Sequence, residues 1–132
     1  MDLNKVTLIG NLVREPANRT MPSGQMVTTF DIATNYSWRD NKTKKKKDTV
    51  EYHNVVAWGR LAEIIAEYVK KGSKVYIEGR LRHRTWKDKE GKNKKITEVI
   101  ADNLIMLGHQ SAKEKTPDAF AKEEADLEVV PA

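Results

Sequence analysis

Apolar positions in this chain alternate with polar ones over several stretches, and in one stretch they follow a helical spacing. Lys5–Val13 (KVTLIGNLV) sets Val6, Leu8 and Leu12 on one parity with Gly10 between them, which predicts a half-buried strand. Arg14–Gly24 (REPANRTMPSG) holds two prolines and reads as a turn-rich loop. A second strand is expected from Gln25 to about Tyr36, with Met26, Phe30 and Ile32 sharing an inward face. Trp38–Asp48 (WRDNKTKKKKD) has six basic and two acidic side chains after its Trp and no apolar pattern, so it reads as a mobile loop. Val50–Trp58 is the third expected strand. In Arg60–Lys71 (RLAEIIAEYVKK), Leu61, Ile64, Ile65, Tyr68 and Val69 form one helical stripe. Lys70 and Lys71 suit its last turn, and Gly72 suits a left-handed stop. Val75–Trp86 and Ile96–Leu107 are the last two strands, joined by a hairpin loop, Lys87–Lys95, turning at Gly91.

That order predicts an all-β chain. It matches a five-stranded oligonucleotide/oligosaccharide-binding (OB-fold) barrel with one helix between strands 3 and 4. Such barrels bind ligands across one face and between protruding loops, and the two lysine-rich loops are placed to be those protrusions.

Side-chain parity then sorts the aromatic residues. In the fourth strand Val75, Ile77, Gly79 and Leu81 make a core face, while Tyr76, Glu78, Arg80, Arg82, Arg84 and Trp86 line the other. Trp86 therefore stands in line with arginines, where its bland alternative is to cap the barrel end. Tyr52 and Trp58 share a parity and lie roughly 20 Å apart at strand rise. Val50 and Val56 share that parity too, so pattern alone leaves this face open between core and ligand surface. Trp38 is assigned to the surface by Arg39 and the lysine run, and Tyr36 and Tyr68 to packing.

Charge sharpens the picture. Residues 1–112 hold 21 Lys and Arg against 13 Asp and Glu, a net +8, and residues 113–132 hold 3 against 6, a net −3. A basic body with an acidic end points to a polyanionic partner for the body. The expected division is a barrel domain over 1–109 and a flexible acidic tail over 110–132, too poor in large apolar residues to pack. There are no cysteines, which removes disulfides and thiolate metal sites and is compatible with a reducing cytoplasm. The start, MDLNKVTLIG, carries no export or transit pattern, and no apolar run reaches membrane-spanning length.

Rings among cations fit a specific chemistry. A single-stranded nucleic acid exposes base faces, on which aromatic rings stack, and phosphates, which Lys and Arg neutralise. Duplex DNA hides those faces. His53, His83 and His109 have no partnered spacing, and no zinc or phosphate-loop motif is present. No enzyme activity, metal or cofactor is therefore expected.

The segments NKVTLIGNL, SWRD, EYHNVVAWGRLAE, YVKKGSKVYIEGRLRHRTWKD and TEVIADNLIMLG, in this order over about residues 3–108, resemble the bacterial-type single-stranded DNA-binding protein family. The resemblance implies an OB-fold homotetramer that binds single-stranded DNA without sequence preference in replication, recombination and repair, in a bacterial cytoplasm. It implies base stacking at Trp38, Tyr52, Trp58 and Trp86; Tyr52 stands where the family commonly has Trp, and Trp58 where it commonly has Phe. It implies phosphate contacts at or near Lys5, Arg19, Arg60, Lys70, Lys71, Arg82 and Arg84; Arg39, Lys44 and Lys87, in the basic loops, complete this set. It implies subunit contacts at His53, Tyr76 and Glu78. The family's usual acidic tip ends in Pro-Phe and docks on replication and repair proteins, whereas this chain ends EEADLEVVPA without a terminal Phe, so weak recruitment is expected. A primosome-type or RNA-binding barrel of the same fold is the alternative function.

Overall fold

A computed structural model describes residues 1–109, and the expected tail, 110–132, lies outside the described residues. The elements are β1 (Val6–Leu12), β2 (Ala17–Thr20), β3 (Met26–Arg39), β4 (Lys46–Trp58), α1 (Gly59–Tyr68), β5 (Ser73–Lys87) and β6 (Asn93–His109). Closure comes from β1, which pairs antiparallel with β5 along Val6–Asn11 and with β3 through Asn11 and Leu12. The remaining joints are antiparallel β3–β4, parallel β4–β6 through Val55 and Val56, and antiparallel β5–β6. Five strands thus form a closed barrel, and β2 lies outside it on the edge of β3.

The short strand β2 corrects the expected topology. The five-stranded barrel is as expected, but among the described residues β2 adds a sixth strand outside it, and the helix lies between the fourth and fifth strands rather than the third and fourth. All four residues of β2 are exposed, so it carries no alternation to read. The turn signals before β3 belong to the hairpin itself: Met21 N–H donates to Gln25 O at 2.8 Å, and Gly24 takes φ +91°.

The core is the inward parity of the barrel strands. Phe30, Ile32, Val55, Ala57, Val75, Ile77, Val99 and Leu104 are buried there, and Leu61, Ile64, Ile65 and Val69 seal one end from α1 and its exit. The helix stops at Tyr68, short of the expected Lys71. Val69 is already extended and almost wholly buried, so Lys70 and Lys71 lie beyond the last turn. Gly72 takes the left-handed φ, +87°, that its position predicted. Gly10 and Gly79 serve closure differently, through contact. A Cβ on Gly10 would sit 2.4 Å from Ala33 O, and one on Gly79 2.1 Å from Ile100 O.

Two further expectations fail. Leu81, placed on the core face, keeps that parity opposite buried Val99 but is exposed, and its backbone is held by Asn4, whose Nδ2 donates to Leu81 O at 2.8 Å. The basic segment after Trp38 is mostly strand. The β3–β4 pairing runs without a break from Val27↔Trp58 to Arg39↔Lys46, leaving only Asp40–Lys45 as a turn. Asp40 closes that turn by accepting from the backbone N–H of Lys42 and Lys44, with its Oδ1 and O respectively, each at 2.8 Å.

Candidate nucleic-acid interface

The outward parity of β3, β4, β5 and β6 builds one groove. Thr29 and Asp31 of β3, Asn54 and Val56 of β4, Arg84 of β5, and Ile96 and Glu98 of β6 line it, with Arg14, Glu15 and Ala17 along one side. It is an open trough of about 300 Å³. The same face carries a second small apolar cluster, Val27, Val56 and Ile100, with Met21 and Trp58 packed against it.

Glu98 lies in the floor of this groove. It is 3% exposed, buried between two arginines. Its Oε1 accepts from Arg82 through Nε at 3.0 Å and through the terminal nitrogen of the same guanidinium, and from Arg84 Nε at 3.3 Å. A buried carboxylate is stable only with such partners. Arg82 spends two donors on it. Arg84 spends one, keeps its outer nitrogens, and lies over the Trp86 ring at 5.1 Å from the centroid, within cation–π range. Glu98 thereby orients one cation and, through it, one ring. Glu98, Asn54 and Ile96 were missed by the sequence reading. Cross-strand parity is the signal that finds them, but it needs the register Arg82↔Glu98 and Arg84↔Ile96, which no local pattern supplies.

The rings expected to stack are distributed as follows. Trp86 is 42% exposed at the far end of β5, opposite Lys94 and beside the turn that Asp88 closes. Tyr52 is 66% exposed on the outward face of β4. Trp58 shares that parity but is half-buried in the small outer cluster, which resolves the choice left open above: this face is outward, with its own patch of packing. Trp38 is exposed on the β3–β4 arm, beyond the barrel, where its ring lies 5.7 Å from Tyr36. Tyr36 and Tyr68, expected in packing, are both exposed.

The cations divide by partner. Arg19, Val27 and Trp58 stand in one cross-strand row, so Arg19 borders the half-buried ring. Arg60 follows Trp58 at the exposed start of α1. Arg39 and Lys44 lie at the tip of the β3–β4 arm and Lys87 at the end of β5. Lys70 and Lys71 follow α1, and the backbone N–H of Lys71 donates to Glu15 at the side of the groove. None of these seven forms an ion pair with a described residue, so each cation is available to a phosphate. Lys5 differs. Its ammonium pairs with Glu78 at 3.1 Å, on the outward face of β1 and β5, where Thr7 opposes Glu78 and Ile9 opposes Tyr76. The Glu78 carboxylate, by hydrogen bond and then by charge, holds Lys5 above its ordinary 10.5. The hydrogen bond from Lys5 in turn holds Glu78 below 4.5, with partial burial opposing it. The structure therefore groups Lys5 with Tyr76 and Glu78. His53 is apart from them, on the inward parity of β4, with Nε2 2.9 Å from Thr34 Oγ1.

No group of three or more His, Cys, Asp or Glu among the described residues is placed to hold a metal. No helix among them is long and apolar enough to cross a membrane.

Known proteins match this arrangement along nearly the whole described chain. "Single-stranded DNA-binding protein 1" of Xylella fastidiosa is 44% identical over 117 residues, covering 89% of this chain and 86% of that protein. The Plasmodium falciparum SSB in its complex with ssDNA superposes with a TM-score of 0.74 at 36% identity, covering 81% of this chain and 96% of that one. A deletion mutant of the single-stranded DNA binding protein from Thermus aquaticus superposes at 0.70 with 31% identity, covering 80% of this chain and half of that one. The single-strand binding protein family model matches residues 3–107, and with these relatives it establishes that the chain belongs to that family.

Proposed function

We propose that this protein binds single-stranded DNA without sequence preference, as a non-enzymatic protector of exposed strands in replication, recombination and repair. The observation that carries the proposal is the outward groove. Exposed rings, Tyr52 and Trp86, lie on the strand face that lines it, and Arg19 and Arg39 on that face form no ion pair with a described residue. Stacking serves every base, and phosphate contacts serve every sequence. The names of its relatives support the same ligand.

The base-stacking set is Trp38, Tyr52, Trp58 and Trp86, and the phosphate set is the seven cations without an ion pair among the described residues, with Arg84. Arg82 contributes chiefly by holding Glu98, and Lys5 belongs to the subunit contact. A homotetramer is supported by two separate candidate patches, Lys5–Ile9–Tyr76–Glu78 on β1 and β5 and the region of His53. A dihedral tetramer uses at least two kinds of isologous contact. The bacterial relative and the absence of cysteine support work in a bacterial cytoplasm. Residues 110–132 serve as an acidic tail with at most a weak recruiting role.

The test is a titration with oligo-dT, followed by tryptophan fluorescence, beside matched duplex and RNA oligonucleotides. Strong saturable quenching by oligo-dT, with roughly 4–16 nucleotides per barrel, is expected. Preference for RNA selects the alternative barrel function, and no quenching at micromolar protein removes both.

A further inference from the structure

The β3–β4 arm carries a ring pair on the face opposite Tyr52. Register decides this. Ala33 opposes Tyr52, so the outward parity of the arm runs through Ala33, Asn35 and Ser37. Tyr36 and Trp38 belong to the other parity, with Thr34, and oppose Thr49 and Lys47. From Thr34 onward β3 has no strand partner except β4, because its pairings with β1 and β2 end at Ala33 and Thr29. The arm is thus a free two-stranded ribbon with both faces open.

The rings on this second face are not explained by packing. Tyr36 is 65% exposed and Trp38 42%, and their opposing residues are polar. Their centroids are 5.7 Å apart with planes tilted by 31°, so they lean together as one surface rather than close on each other. The segment Arg39–Asp48 that continues the arm holds six basic and two acidic side chains. Lys47, across from Trp38, makes no ion pair with a described residue. An aromatic surface rimmed by unneutralised cations has the chemistry of a nucleobase platform and its phosphates. A second copy of this chain would bring the same positive charge against it, which argues against self-association there.

We infer that Tyr36 is a base-stacking residue, and that Tyr36 and Trp38 form a second platform which single-stranded DNA reaches by passing over the edge of the arm from the groove face. The inference rests on the single-stranded DNA reading above and extends its site by one ring. A strand held on both faces of a ribbon is clasped, so this platform slows release of DNA more than it speeds capture.

The test uses the full chain and oligo-dT in which single positions carry 5-iododeoxyuridine, a base that photocross-links to rings stacked on it. Cross-links assigned by fragmentation to Tyr36 or Trp38 as well as to Trp86 are expected. Tyr36→Ala and Tyr36→Leu are each expected to weaken binding about five- to tenfold, mainly through faster dissociation, with an unchanged salt slope because no charge is lost. Tyr36→Phe, which keeps the ring, is expected to bind as the parent does. Oligo-dT binding with unchanged affinity in Tyr36→Ala and no cross-link at Tyr36 overturns the platform and leaves the general function standing. Failure of the parent chain to bind oligo-dT overturns both. A fall in the DNA-free mass of Tyr36→Ala assigns the ring to a contact between copies and overturns the inference.

Discussion

The guanidinium of Arg84 lies over the ring of Trp86, 5.1 Å from its centroid, while its Nε is held by Glu98 at 3.3 Å. The two residues are neighbours on one face of β5, so the contact is local. Glu98 is not local; it reaches them from β6. A carboxylate on a DNA-binding face opposes phosphate, yet this one is buried and oriented away from solvent by two arginines.

Glu98→Gln therefore tests sign. Charge alone predicts tighter binding, since the formal net charge rises by one from +5. Loss of the clamp predicts weaker binding, because Arg84 and Trp86 lose their fixed placement. We expect affinity for oligo-dT to fall several-fold and stability to fall by about 1.5–3 kcal/mol, the range for hydrogen bonds to charged groups. Titration and urea unfolding of the same variant decide it, and a rise in affinity would reduce Glu98 to a repelling charge.

Trp86 and Trp58 are expected to separate binding from stability. Trp86→Ala removes an exposed ring, so binding weakens by about 1–3 kcal/mol with little change in unfolding. Trp58→Ala also empties part of the outer cluster around Val27, Val56 and Ile100. It is expected to lose binding and about 2–3 kcal/mol of stability, below the figure for a fully buried Trp. Equal unfolding midpoints for the two variants would show that Trp58 packs no better than Trp86.

What the sequence disclosed follows from where its signals are local. Alternation at Phe30, Ile32, Val55, Val75 and Ile77 marks barrel strands because each faces one continuous core. The helical stripe and the turn at Gly91 are equally local, and Gly91 takes φ +82°. β2 stayed hidden because both its faces meet solvent. The lysine segment read as a loop because polar residues carry no burial pattern, although β3 and β4 hold it chiefly by backbone pairing. Tyr36 was misassigned for a related reason: a ring at a strand's inward parity packs only while there is a barrel beneath it, and the arm has left the barrel by then. Glu98 was invisible because its partners lie 14 and 16 residues earlier and meet it only through the register.

Closure of the barrel predicts intolerance at Gly10. A methyl group there meets Ala33 O at 2.4 Å and the Ile32 side chain at 2.5 Å. The first contact is backbone, so β1 and β3 must part to admit it. Gly10→Ala is expected to destabilise by at least about 1–3 kcal/mol, read from the urea midpoint. A neutral result would mean that β1 can shift without opening the joint at Asn11 and Leu12.

The acidic segment 110–132 is expected to be dispensable for DNA binding. Residues 113–132 carry a net −3 and repel phosphate. A chain ending at residue 109 is expected to bind oligo-dT as well or slightly better, most visibly at low salt where screening is weak. A large loss of affinity would place the segment in the binding surface.

Lys5 and Glu78 set the pH response of the β1–β5 face. The hydrogen bond and charge of Glu78 raise Lys5 above 10.5, so its contribution is complete below 10.5 and is lost as pH rises beyond the raised value. Lys5 lowers Glu78 below 4.5, so that contribution is complete above 4.5 and is lost as pH falls through the lowered value. The pair's effect is thus flat between about 4.5 and 10.5 and fades at both ends. Both side chains meet solvent, so the effect on the isolated chain is small and weakens with salt. In an assembly that covers this face, water is excluded and the same pair is less screened. We expect the Glu78 carboxyl, followed by NMR, to titrate below its ordinary value in the parent and to return toward it in Lys5→Ala. Light scattering of Glu78→Gln is expected to show a smaller mass than the parent at equal, low protein concentration near neutral pH. An unshifted Glu78 together with an unchanged mass would remove the pair from both the fold and the assembly.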